Sequence, residues 1–134
     1  MVGPANSAAA VAAVAVADLE GRIAEARGDL EGAITAFGTA VTAEDHLGYN
    51  EPPDWLLPER EMLGRVLLRA GRAADAENAF RADLEKNVGN PRSLFGLWRS
   101  MEAQNMPADE AKAQFEQAWS SADVTLDESF AIPR

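Results

Sequence analysis

The feature that most constrains this chain is an internal repeat. Four glycine, alanine and phenylalanine positions of one segment recur after a constant interval of 43 residues. They are Gly21, Gly28, Ala33 and Phe37 in the first copy and Gly64, Gly71, Ala76 and Phe80 in the second. Around them, apolar residues recur at three- and four-residue spacing, which is typical of amphipathic helices, and the second glycine marks a tight turn. The repeat therefore predicts copies of one helix–turn–helix unit that pack on each other.

A third, weaker copy follows the second. Its apolar stripes are Leu94, Leu97 and Met101 on one helix and Ala111, Phe115 and Ala118 on the next. Phe115 follows Phe80 by 35 residues, so this interval is shorter than the first. No strand pattern is present in the sequence. We therefore predict an all-α fold of about three antiparallel helix pairs.

Prolines and a cap residue mark the predicted helix starts. Pro58 and Pro91 suit the first turn of a helix, Asn90 suits a cap, and Pro107 precedes two acidic residues. Six helices are predicted, at about 7–27, 29–44, 58–70, 73–87, 91–104 and 108–120. We predict one domain over 1–134, with pairs at 7–44, 58–87 and 91–120, an insertion at 45–57 and an irregular tail at 121–134.

Charge and composition exclude several classes of function. The formal net charge of -10 opposes binding to nucleic acid or to an anionic membrane, so neither partner is expected. The chain has no cysteine and hence no disulfide or thiolate chemistry. The apolar run Ala8–Ala17 has no Lys or Arg before it and is too short to span a bilayer. It is interpreted as a buried helix face, and a cytoplasmic location is the default expectation.

The repeat resembles the tetratricopeptide repeat, a helix–turn–helix of 34 residues. The first copy carries the motif at Gly21, Ala33, Phe37 and Ala40, and the second at Leu63, Gly64, Leu67, Ala76 and Phe80. The copies depart from the motif at a few positions. Ala17 and Arg60 stand where it often has Trp, Asp83 replaces its last Ala, and Trp98 occupies the small-residue position of the third copy.

The insertion carries a second resemblance. The segment Tyr49-Asn-Glu-Pro-Pro-Asp-Trp55 is similar to a stretch in a group of bacterial tetratricopeptide proteins, mostly of unknown function. The likeness covers residues 20 to 126, nearly the whole chain. It implies an α-solenoid with a right-handed superhelical stack, and it implies that the chain is the C-terminal piece of a longer protein.

An arginine follows the small-residue position in all three copies. These residues are Arg22, Arg65 and Arg99, and Arg69 lies one turn after Arg65. Because the first helix of each pair lines the concave face of such a solenoid, the four side chains are candidates for binding a carboxylate-bearing peptide. The alternative is that they pair with acidic residues of their own helices. The candidates for that pairing are Asp18, Glu61 and Glu102.

The insertion offers a second candidate site, a pocket lined by Tyr49, Glu51, Trp55 and Arg60. The alternative is that the two aromatic rings fill the gap between neighbouring pairs. His46 is the only histidine, and no spacing resembles a metal motif, so we expect a solvated side chain and no metal. No pattern of catalytic residues is present, and neither an enzyme nor a cofactor is predicted. Phe95, Trp98, Phe115 and Trp119 are interpreted as packing residues.

Three functions remain open. The first is a non-catalytic protein-interaction scaffold that binds a peptide or partner segment on its concave face. The second is an assembly module that self-associates, as a homodimer, through its Ala-rich N-terminal helix pair. The third is a small-molecule or metal-binding protein that uses the 45–60 region.

Overall fold

The computed structural model describes residues 6–48, 55 and 57–120, and all regular structure in these residues is helical. The six helices are α1 (Ala8–Ala26), α2 (Leu30–Asp45), α3 (Glu59–Arg69), α4 (Ala73–Lys86), α5 (Pro91–Ala103) and α6 (Asp109–Ala118). The all-α prediction is confirmed, and the predicted helix bounds differ from these by at most two residues. The predicted tail at 121–134 lies outside the described residues.

The helices form two units, residues 1–59 and 60–134. In the first unit, α1 packs along α2. In the second unit, α5 packs against both α4 and α6. Glu59, the first residue of α3, belongs to the first unit, and the rest of α3 belongs to the second. The single-domain description of residues 1–134 stays a prediction.

The first two turns of the repeat are built identically. Their glycines, Gly28 and Gly71, have φ angles of 77° and 79°, a left-handed conformation that glycine adopts without steric penalty. The same backbone hydrogen bond closes each turn, from Asp29 N to Ala24 O and from Arg72 N to Leu67 O, at 2.9 Å in both. This arrangement satisfies a carbonyl at the end of the helix. The interval of 43 residues in the sequence is therefore an interval between equivalent backbone structures.

The third turn uses asparagine in place of glycine. Asn105 has a φ angle of 57° and is the only non-glycine residue with positive φ in the described part of the chain. Met106 N donates to Met101 O at 3.0 Å, as in the other two turns. Asparagine tolerates this conformation better than most residues, so the turn survives without its glycine.

Side-chain caps begin three of the helices, and one of these caps, Asn90, was predicted. Ser7 Oγ accepts a hydrogen bond from Ala10 N, and Asp29 Oδ1 accepts one from Gly32 N. Asn90 caps α5, and Pro91 is its first residue, as predicted. Pro58 lies immediately before α3, one residue outside the first-turn position that was predicted for it.

A glycine–phenylalanine contact forms the centre of each of the first two copies. The buried ring of Phe37 covers Gly21, where an added Cβ would lie 2.8 Å from ring carbons. The buried ring of Phe80 covers Gly64 in the same way, at 2.7 Å, and also lies on Gly96 of α5. Such distances are too short for a real side chain. The small residue of the repeat is therefore required by the ring that packs on it.

In the third copy, two stacked rings replace that contact. Trp98 lies over Phe115 with centroids 5.8 Å apart and an interplanar angle of 30°. Phe95 meets Trp98 edge to face, and Trp119 stacks on Phe115. Phe95 and Phe115 are buried, and both tryptophans are partly buried against them. The prediction that these four residues are packing residues is confirmed.

Candidate functional site

Two of the predicted arginines are paired with acidic residues of their own helices. Arg22 Nε donates to Asp18 Oδ2 at 2.7 Å, and this bond raises the pKa of Arg22. Arg99 Nη1 donates to Glu102 Oε2 at 2.9 Å, and its guanidinium carbon lies 5.7 Å from the centroid of the Trp98 ring. A carboxylate ligand at either arginine would have to displace these contacts. The intrahelical alternative is therefore confirmed for Arg22 and Arg99.

The other two predicted arginines, Arg65 and Arg69, are half-buried on α3. Burial raises the pKa of Glu61, and the charge of Arg65 is one of several weaker influences that act in the opposite direction. Arg22 belongs to the first unit, whereas Arg65, Arg69 and Arg99 belong to the second. A single ladder of these four residues stays a prediction.

The insertion pocket is described only in part. Tyr49 and Glu51 lie outside the described residues, and Arg60 is half-buried in the first turn of α3. Trp55 is also half-buried, and its indole Nε1 donates to Glu59 Oε1 at 3.0 Å. His46 is exposed, with Nδ1 2.6 Å from Thr42 O. The part of the chain described by the structure contains no group of three His, Cys, Asp or Glu side chains that could hold a metal ion.

A buried carboxyl pair lies beside Trp55. Glu59 has no solvent-exposed surface, and Asp18 is also buried. Burial, a hydrogen bond with Asp18 and the charge of Asp18 together raise the pKa of Glu59 to about 8, while the Trp55 N–H acts in the opposite direction. Glu59 is therefore largely protonated at neutral pH, and its proton is shared with the carboxyl of Asp18. Asp18 in turn accepts the Arg22 bond, so the group behaves as one linked network.

A second buried polar network lies in the second unit around Asp83 of α4. Asp83 accepts hydrogen bonds from Asn87 Nδ2 at 2.7 Å, Asn90 Nδ2 at 2.8 Å and Ser93 Oγ at 2.5 Å. Asn90 Nδ2 also reaches Glu61 Oε2 at 3.3 Å, and Arg92 lies 3.9 Å from the same carboxyl. Helices α3, α4 and α5 are therefore tied together by two carboxyl groups, Glu61 and Asp83, that share the Asn90 donor. The donors and acceptors of this network bind one another, which suits a structural role.

The second unit also contains an open cleft of about 540 Å³. It is lined by the end of α4, the α4–α5 turn, the start of α5 and one side of α6. The described residues of its lining are uncharged and are Leu84, Val88, Gly89, Leu94, Gln114, Gln117 and Ala118. Val88 is 87% exposed. The volume lies within the range typical of ligand-binding clefts, and the mixture of apolar side chains and amides is typical of such sites.

Helix α1 exposes apolar side chains to solvent. Val16, Leu19 and Ile23 are 56%, 58% and 42% exposed. Within Ala8–Ala17, only Val14 and Ala17 are buried, so the prediction that this run is a buried face holds for one side of the helix alone. The other side is the outer face of α1, and it carries Ala9, Ala12, Val16, Leu19, Ile23 and Ala26.

Comparisons with family models, curated proteins and solved structures found no match for this chain. None of the described helices is long and apolar enough to cross a membrane. The resemblance to tetratricopeptide proteins therefore stays a prediction from the residues quoted above.

Sequence reasoning missed the carboxyl pair and the cleft. Asp18 and Glu59 are 41 positions apart and look like ordinary surface acids in the sequence. One signal for the Asp83 network was available, because Asp83 replaces the alanine that the repeat motif has at that position. The cleft depends on how the α4–α5 turn sits over α6, and no residue pattern encodes that geometry.

Proposed function

We propose that the chain is a non-catalytic interaction scaffold, a tetratricopeptide-like α-solenoid of three helix pairs that binds a peptide or partner segment. The support for this fold is the repeated construction of the pairs. The Gly28 and Gly71 turns share one hydrogen-bond pattern, and the Gly21–Phe37 and Gly64–Phe80 contacts share one geometry. Repeats of this kind present the same helix faces side by side, which is how such scaffolds form binding surfaces.

The observation that carries the binding proposal is the uncharged cleft between α4, α5 and α6. Leu84, Leu94 and Ala118 offer apolar contact, and the amides of Gln114 and Gln117 offer donors and acceptors. This chemistry suits a short apolar segment whose backbone amides are paired by the two glutamines. The described residues that line the cleft are uncharged and form no ion pair that a ligand would displace, whereas a carboxylate at Arg22 or Arg99 would compete with Asp18 or Glu102.

The test is selection of a phage-displayed random peptide library on the purified chain, followed by calorimetry with a synthetic copy of the enriched peptide. We expect an enriched peptide with apolar side chains that binds the original chain and loses at least tenfold in affinity for Val88→Glu. Ala74→Glu is the matched control, because it adds the same charge at an exposed position of α4 that does not line the cleft.

An acidic enriched peptide that is insensitive to Val88→Glu and is lost with Arg65→Glu would move the site to the predicted arginine surface. Failure to enrich any peptide, with a folded protein in the assay, would contradict the scaffold proposal.

A further inference from the structure

The outer face of α1 has the residue spacing of a helix-pairing seam. Its six apolar residues alternate at intervals of three and four, and all six are exposed. This alternation is that of the a and d positions of a heptad repeat, which place a continuous apolar stripe against a neighbouring helix. The stripe runs from residue 9 to residue 26, about two and a half heptads.

The outer face is separate from the face that α1 uses within its own unit. Val14, Ala17 and Gly21 point inward and are buried. Val16, Leu19 and Ile23 are on the opposite side of the helix and are all exposed. A helix that is apolar on two sides usually buries both. The outer face of α1 is therefore exposed, although a helix of this composition is normally buried on both sides.

The size of the residues favours another helix as the cover. The alanines at 9, 12 and 26 leave room for two backbones to approach closely, at the roughly 8–10 Å typical of packed helices. Between them, Val16, Leu19 and Ile23 supply the larger side chains of the seam. The described length of α1, 19 residues, corresponds to about 28 Å of contact.

If a second α1 packs on this face, the charged residues beside the stripe decide whether the two helices run parallel or antiparallel. The positions that flank the stripe are charged in the C-terminal half of α1, at Glu20, Arg22 and Arg27, and are alanine in the N-terminal half. A parallel pair would place Arg22 opposite Arg27 of the other helix. In an antiparallel pair centred between Val16 and Leu19, each charged half lies against an uncharged half, and the helix dipoles oppose favourably.

We infer that the outer face of α1 is the interface of a symmetric dimer, in which α1 of a second copy packs antiparallel across it. In this dimer Val16 meets Leu19 of the second copy, and Ala12 meets Ile23. The seam is short and rich in alanine, so it buries less than the roughly 1,600 Å² of a standard interface. The net charge of -10 on each copy also opposes association. The dimer is therefore weak, and added salt strengthens it by screening this repulsion.

This inference goes beyond the proposed function and is independent of it, because it concerns the first unit and needs no peptide. The first experiment is sedimentation equilibrium over a concentration series at low and at 0.5 M salt, a condition that leaves a screening length of only about 4 Å. We expect the average mass to rise toward twice the monomer mass as the protein concentration increases. With added salt, we expect this rise to begin at a lower protein concentration.

Leu19→Glu is the disrupting variant and Thr39→Glu is its control. Both residues are exposed in the first unit, and both changes add one negative charge. We expect Leu19→Glu to stay monomeric with an unchanged circular dichroism spectrum, and Thr39→Glu to associate like the original chain. A monomer at every concentration, or association that Leu19→Glu does not weaken, would overturn the inference.

Cysteine crosslinking tests the direction, since the chain has no cysteine of its own. Oxidation of Ala12→Cys mixed with Ile23→Cys is expected to give a mixed disulfide dimer in at least fivefold excess over either variant oxidised alone. A dominant disulfide of Ile23→Cys with itself would show a parallel pair and would overturn the antiparallel arrangement.

Discussion

The carboxyl of Glu59 is hydrogen-bonded to the carboxyl of Asp18 in a buried position, and a proton between them is what allows the pair to form. Trp55 donates to the same Glu59 from the other side, through the 3.0 Å bond to Oε1. Within the first unit, Glu59 is thereby joined to α1 by a bond that depends on protonation.

The first prediction concerns the dependence of stability on pH. The pKa of Glu59 is about 8 in the folded chain, well above its ordinary value, so the folded state holds this proton more tightly than the unfolded state. The resulting stabilisation is complete below the ordinary pKa of glutamate and is lost as pH rises through about 8. The check is urea unfolding at pH 5, 6.5, 8 and 9 for the original chain and for Glu59→Gln.

Glutamine keeps the donor to Asp18 and the acceptor for Trp55 but does not titrate in this range. We expect the free energy of unfolding of the original chain to fall relative to that of Glu59→Gln between pH 5 and 9. Parallel pH profiles for the two proteins would contradict the protonated pair.

The second prediction concerns the glycine under the Phe37 ring. Gly21→Ala places a methyl group 2.8 Å from ring carbons, so the ring or the helix must shift. We expect a loss of about 1–3 kcal/mol in the free energy of unfolding. Gly38→Ala is the control, because a Cβ at this position of α2 meets nothing within 4 Å. It is expected to stabilise by about 0.4–1 kcal/mol, since alanine restricts the unfolded chain. Equal effects of the two changes in denaturant unfolding would argue against the close ring contact.

The third prediction concerns the Asn105 turn between α5 and α6. Its φ angle of 57° is one that alanine adopts poorly and glycine adopts freely. We expect Asn105→Ala to lower the free energy of unfolding by about 1 kcal/mol and Asn105→Gly to leave it equal or slightly higher. Thermal unfolding by circular dichroism compares the three proteins. A more stable Asn105→Ala would show that the turn does not hold a left-handed residue.

The fourth prediction concerns Asp83. Alanine at this position would match the repeat motif, yet it would leave the donors of Asn87 and Ser93 without this acceptor and leave Asn90 with only its longer bonds. We expect Asp83→Ala to reduce the free energy of unfolding by about 2–4 kcal/mol, because hydrogen bonds to a charged group are strong and the donors become unsatisfied. Asp83→Asn keeps one acceptor oxygen and is expected to lose less. Urea unfolding orders the three proteins, and a stable Asp83→Ala would contradict this role.

Much of the fold is predictable from the sequence because its determinants are local. Gly28 and Gly71 end helices through their own backbone freedom, and Asn90 caps the helix that Pro91 begins. The repeated glycine and phenylalanine positions also predict a contact, since a small residue is retained where a large ring needs room. Each of these signals depends on neighbours within a few positions or on one repeat interval.

The candidate sites are less predictable because they depend on burial. Glu59 follows a proline and resembles a first-turn acid, and its pKa changes only because folding removes water from it and brings Asp18 to it. The predicted pairing of Arg22 and Arg99 was available from spacing, because residues four and three apart meet on one helix. The cleft beside Val88 required the position of α6, which three-dimensional packing alone determines.

The ring of Phe80 has a consequence for where this protein can be divided. It lies on Gly64 of α3 and on Gly96 of α5 at once, so one side chain of the second helix pair fills the interior of that pair and the start of the next. Removing α5 and α6 would uncover one side of this ring. One copy of the sequence repeat ends between α4 and α5, but the packing continues across that point, so the third pair cannot be removed or exchanged without exposing the interior of the second.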